Sequence, residues 1–152
     1  MKAIKILIAV LLFLFIVMQF FPRNLPERLP AGESDLILSG AAPDDVAGII
    51  KNSCYDCHSF ETNYPWYSYV VPSAWLVAKD IRGGRQELNF SEWGEYSVRN
   101  MTGKLEMIQE EVSSGGMPLP AYIFIHRKAR LDNEQVAVIV QWTEDYTEKI
   151  RE

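Results

Sequence analysis

Cys54-Tyr55-Asp56-Cys57-His58 places reactive side chains in a spacing that known chemistry uses, and it holds the two cysteines of the chain. Residues three apart share one side of a helical turn, so both thiols can meet one partner while the next residue turns toward a metal. This is the C-x-x-C-H pattern of covalent c-type haem attachment, with two thioethers on the porphyrin edge and the histidine on the iron. In a chain of this length the whole pentapeptide arises by chance on the order of once in several thousand shuffles. Two cysteines three residues apart build neither a disulfide framework nor an all-cysteine zinc site. A thioredoxin-like redox pair needs a βαβ setting. Zinc through Cys54, Cys57, His126 and a carboxylate lacks a second close pair of ligands.

A haem iron has a second face, and two side chains compete for it. Met117 follows Gly115-Gly116 and precedes Pro118-Leu119-Pro120. Glycines allow a tight path and prolines stiffen the approach, so such a loop can present a thioether at low entropic cost. The competing role for Met117 is to fill a core gap. His126, flanked by Arg127 and Lys128, is the alternative distal ligand, or else a surface residue or a partner for a haem propionate. With neither bound, the distal site is open.

A flat porphyrin also needs apolar walls. Tyr64, Trp66, Tyr67, Tyr69 and Trp75 cluster after the motif, and Trp66, behind Pro65, is the first choice for a wall. Arg82, Arg85, Arg127, Lys128 and Arg130 are candidates for holding propionates, because guanidinium matches carboxylate geometry.

The elements that must position these residues read as helices. Pro43-Asp44-Asp45 opens a short helix with Val46, Ile49 and Ile50 on one face, running directly into Cys54. Ser73 to Leu88 is helical on Trp75, Leu76, Ala78 and Ile81, with Gly83-Gly84 a weakness near its end. Met101, Leu105, Ile108 and Val112 step as an amphipathic helix that stops at Gly115-Gly116. Asp132 with Gln135 forms a capping box for a last helix whose Val136, Ile139, Trp142, Tyr146 and Ile150 share a face. No segment alternates as a strand does. The expected fold is all-α, a compact cytochrome c-like domain over residues 44–152.

The 152 residues, 48% hydrophobic and 23% charged, exclude disorder as the main state. A net charge of -5 gives no basic footprint for nucleic acid. The apolar residues concentrate in Ile6 to Phe21, behind Lys2 and Lys5. Residues 1–21 therefore read as a transmembrane helix and anchor. The Met18-Gln19-Phe20-Phe21-Pro22 run lacks the small residues of a signal-peptidase site, so a signal anchor is favoured over a cleaved peptide. The two lysines favour an inside N-terminus and a body exported to the periplasmic or extracytoplasmic side. Residues 22–43, broken by Pro22, Pro26, Pro30, Gly32, Gly40 and Pro43, read as a linker holding the domain off the bilayer.

CYDCHS at Cys54 to Ser59, PWYS at Pro65 to Ser68, PSAWL at Pro72 to Leu76, GRQELNFSEW at Gly84 to Trp93, MPLPAY at Met117 to Tyr122, and His126 together resemble the small membrane-anchored haem-binding domain family of c-type cytochromes. The resemblance runs from about Val46 to Trp142. It implies one covalent haem c with proximal His58 and Met117 as the distal group. Relatives often carry histidine near Lys79, and lysine at that place removes a bis-histidine arrangement. Electron transfer with redox protein partners is the expected function. The rival classes are a peroxidase-like haem enzyme and a haem-based ligand sensor, both needing an open distal site.

Overall fold

A computed structural model describes every residue from Met1 to Glu152, and all of its regular structure is helical. The body is built on α2 (Asp44–Ser53), α3 (Tyr55–His58), α4 (Ser73–Glu87), α5 (Val98–Ser114), α6 (Pro120–Ile125) and α7 (Asn133–Arg151). Short 3₁₀ turns lie at Trp66–Tyr69, Phe90–Glu95 and Arg127–Ala129. These turns carry no periodic signal long enough to read from sequence.

α5 and α7 form the main helical pair. Leu105, Ile108 and Val112 are buried from α5, and Ile139 and Trp142 from α7, on the expected faces. Ser97 caps α5 by accepting from the Asn100 N–H, and Gly115 ends it in the left-handed region at φ 73°. The Asp132–Gln135 capping box opens α7 as its sequence indicates. α2 starts after Pro43 with Asp44 and Asp45 in its first turn, where carboxylates favour the positive end of the helix dipole. Its buried side chains are Val46, Ala47, Ile50 and Ser53.

α4 keeps half of its expected face. Ala78 and Ile81 are buried as expected and Ala74 joins them in one stripe, while Trp75 and Leu76 are exposed. Small residues on this stripe let α4 lie close against α3.

The core gathers Leu36, Val46, Ile50, Tyr55, Phe90, Trp93, Leu105, Ile139 and Trp142. Phe90 and Trp93 are fully buried, so the Leu88-to-Trp93 segment is structural. Tyr55 stacks on Phe90 with centroids 5.5 Å apart.

The segment 22–43 is not a free tether. Leu36 is fully buried in the core, and the Leu29 N–H donates to the Phe60 carbonyl at 3.0 Å. Buried Asp35 accepts from Ile37 N–H at 3.0 Å and Tyr55 Oη–H at 2.9 Å, turning the chain so that Leu36 points inward. The prolines prevent a helix without preventing burial.

α1 (Lys2–Met18) buries none of its residues. No helix of the structure is long and apolar enough to cross a membrane, so the transmembrane part of the expected architecture has no support from the fold. At 1.5 Å per residue its 17 residues span about 26 Å, against roughly 30 Å of hydrocarbon. At the end of α1 Gln19 keeps a helical backbone, and its side-chain amide donates to Phe15 O at 3.0 Å and to Val71 O at 2.8 Å and accepts from Val71 N–H at 3.0 Å, tying the helix end to the body.

Candidate functional site

α2 delivers Cys54 at its end, where the backbone breaks to φ −123°, and α3 carries Cys57 and His58. The N–H groups of Cys57 and His58 both donate to the Cys54 carbonyl, at 3.1 and 3.0 Å. That shared acceptor closes the motif into one turn with both thiols free. Burial, then the neighbouring Cys57, pushes the Cys54 thiol up to about 12. Burial, then Asp56 and Asp80, pushes Cys57 up to about 11 against the opposing pull of Arg85. Thiols held protonated are poor exchange nucleophiles, which argues against a thioredoxin-like pair.

One ring nitrogen of His58 is fixed by the backbone. Its Nδ1 lies 3.0 Å from the Leu88 carbonyl. A carbonyl can only accept, so Nδ1 carries the proton and Nε2 keeps its lone pair for a metal. Burial holds the His58 pKa below the usual imidazole range, partly offset by backbone hydrogen bonding to Leu88 and Gly84. The ring is neutral at neutral pH, as ligation requires.

His58 opens on a largely apolar cavity of about 150 Å³ whose wall includes Cys54, Leu88, Phe90, Ile108 and Met117. A second cavity of about 140 Å³ holds Cys57, Tyr64, Tyr67, Leu76, Tyr122 and Ile125. One stretch of chain walls both, with Met117 and Pro118 on the first and Leu119, Ala121, Tyr122 and Ile125 on the second. The Met117 N–H donates to Glu111 O at 3.1 Å, folding this stretch back over the end of α5. Imidazole, thioether, two thiols and apolar walls suit an iron porphyrin. No group of three or more His, Cys, Asp or Glu side chains could hold a metal ion, so the zinc alternative through Cys54, Cys57 and His126 is withdrawn.

Met117 lines the cavity on which His58 opens, and His126 does not. The Nε2 of His126 pairs with the Tyr67 hydroxyl, and its ring stacks on Tyr122 with centroids 4.4 Å apart. Tyr122 in turn donates to Asp56 Oδ2 at 2.7 Å. His126 thus belongs to a groove with Lys51, Asn52 and Asp56, on the outside of the motif.

Trp66 is not a wall. It is 77% exposed and lines neither cavity, whereas Tyr64 and Tyr67 line the second. A 3₁₀ turn spreads successive side chains by about 120°, so turning Ser68 inward turns Trp66 out.

Two of the basic candidates have other partners. Arg85 donates from Nε to Ser59 O at 2.9 Å, from Nη1 to Glu27 O at 2.9 Å and from Nη2 to Thr62 Oγ1 at 3.1 Å. Arg82 donates to Asn24 O at 2.7 Å. They sew the segment 22–28 to the motif. Arg127, Lys128 and Arg130 remain exposed.

Gly84 is a positioning residue that sequence reasoning missed. A Cβ there would lie 2.7 Å from the Cys57 carbonyl oxygen, so α4 meets the motif backbone only because this position has no side chain. The signal was the Gly83-Gly84 pair inside a helical pattern, which marks either a weak end or a close approach.

A family model described as a haem-binding domain matches residues 13–145. The chain matches no curated protein and no solved structure.

Proposed function

The chain belongs to the haem-binding domain family, and on that premise we propose that it is a monohaem cytochrome c, carrying electrons between protein partners. α1 attaches it to a membrane and its body stands on the exported side. The observation that carries the reading is the single apolar cavity shared by Cys54, His58 and Met117.

Cys54 and Cys57 would hold the porphyrin edge through thioethers, a redox-neutral addition of each S–H that needs no oxidant. His58 would bind the iron through Nε2, its ring fixed by Leu88 O. Met117 would supply a thioether as the second iron ligand. Bound haem supplies a reversible one-electron couple, and His/Met ligation raises its potential. Leu88, Phe90 and Ile108, which wall the cavity, would keep water from the metal. The exposed apolar surface of α1 supports lipid attachment, and Lys2 and Lys5 in its N-terminal turn support an inside N-terminus.

The test is protein made in a host that matures cytochromes. Wild-type chain should keep haem stain on a denaturing gel, and Cys54→Ala with Cys57→Ala should lose it. Stain in the double variant overturns covalent attachment. Reduced wild-type protein should bind carbon monoxide slowly, whereas immediate binding replaces the carrier with an open-site enzyme or sensor.

A further inference from the structure

α1 leaves the body at a joint whose surroundings are aromatic, exposed and cross-linked by hydrogen bonds. Gln19 is held both ways by the backbone of Val71, which is itself fully buried. The indole N–H of Trp75 donates to Pro22 O at 3.0 Å, and the Trp75 ring meets Phe21 edge-on at 6.5 Å. Arg82 grips the Asn24 carbonyl one step further on. A hinge between helix and body would be free of such bonds.

The side chains at this joint are the wrong kind for water. Phe20 is 86% exposed and Phe21 55%, and Trp75, with its N–H already satisfied, is 40% exposed. They continue the unburied apolar surface of α1. Aromatic rings with one polar edge favour the headgroup boundary of a bilayer. Arg23, Arg28 and Arg82 stand along the same stretch against Glu27, a local excess of cations suited to lipid phosphates in a chain of net charge -5. Length agrees, since α1 falls a few ångströms short of the hydrocarbon thickness.

We propose that the face formed by Phe20, Phe21 and the start of α4 at Trp75 is a bilayer-docking surface, and that the Gln19–Val71 joint holds the body against the lipid in one orientation. This rests on the membrane attachment proposed above. Its consequence is that both cavities keep a fixed height and tilt relative to the membrane, so a membrane partner meets one edge of the site.

The experiment is hydroxyl-radical footprinting of the full haem-loaded chain in phospholipid nanodiscs carrying one chain each, read by mass spectrometry. One chain per disc removes protection by a second copy. Phe124, 82% exposed and remote from the joint in sequence, serves as the internal reference. Lipid contact should slow oxidation of Trp75 and Phe20 by more than about tenfold relative to that reference. Gln19→Ala should raise the Trp75 rate severalfold while the chain stays in the disc. Oxidation of Phe20 and Trp75 in proportion to their exposure, in a chain retained by the disc, overturns the docking surface. An unchanged Trp75 rate in Gln19→Ala overturns the fixed joint, and protection seen only in discs with two copies reassigns the face to self-association. A chain that fails to enter discs overturns the membrane attachment itself.

Discussion

At His58 a single backbone carbonyl decides which ring nitrogen keeps its lone pair, and Met117, unlike His126, lines the same cavity as that ring. His/Met coordination raises a haem potential and shuts the iron to small ligands. Met117→Ala is therefore expected to lower the midpoint potential, abolish the near-red sulfur-to-iron band of the oxidised protein and speed carbon monoxide binding. His126→Ala should leave all three nearly unchanged, because His126 is engaged by Tyr67 and Tyr122. Potentiometry and stopped-flow mixing of both variants check this, and the reverse pattern would reassign the ligand. The motif and Met117 could be singled out from sequence because thiols, imidazole and thioether have identities that spacing can weigh, and the fold places Cys54, His58 and Met117 on one cavity. Leu88 was not, since it acts through a carbonyl that every residue owns. Trp66 misled for the opposite reason: its ring suits a haem wall, but the turn that holds it points outward.

Among the elements, α3 and α4 show most sharply how packing overrides pattern. Trp75 and Leu76 give α4 an apparent apolar face, yet they stay exposed while the small Ala74 and Ala78 are buried with Ile81 where α4 packs on α3. The same contact separates two adjacent glycines. Gly84→Ala would force a methyl against the Cys57 carbonyl, and overpacking of this kind costs roughly 1–3 kcal/mol. Gly83 has open space where its Cβ would stand, so Gly83→Ala should instead stabilise the helix by about 0.5–1 kcal/mol. Thermal melts of the two variants should move in opposite directions, and haem content should fall only for Gly84→Ala. Equal shifts would mean that the close approach relaxes freely. α5 and α7 were legible to their caps because long periodic helices state both face and ends. α6 and the 3₁₀ turns were not, being too short for period or length to distinguish them from loops.

For the molecule as a whole, the boundary between body and N-terminal segment lies earlier than proline and glycine content suggests. Leu36 is fully buried in a core shared with Val46 and Trp93, so Leu36→Ala should destabilise the body by about 2–5 kcal/mol. Denaturant unfolding of the full chain checks this, and a loss under about 0.5 kcal/mol would restore the free-linker reading. The segment was misread because local composition reports what the backbone can do, whereas burial depends on what it meets later in the chain. Arg82 and Arg85 hold the carbonyls of Asn24 and Glu27, and Leu29 bonds to Phe60. That stitching limits how a water-soluble form could ever be shed by a protease. A cut at Phe20 or Phe21 leaves every core residue in place, whereas a cut after Gly40 strips out Leu36.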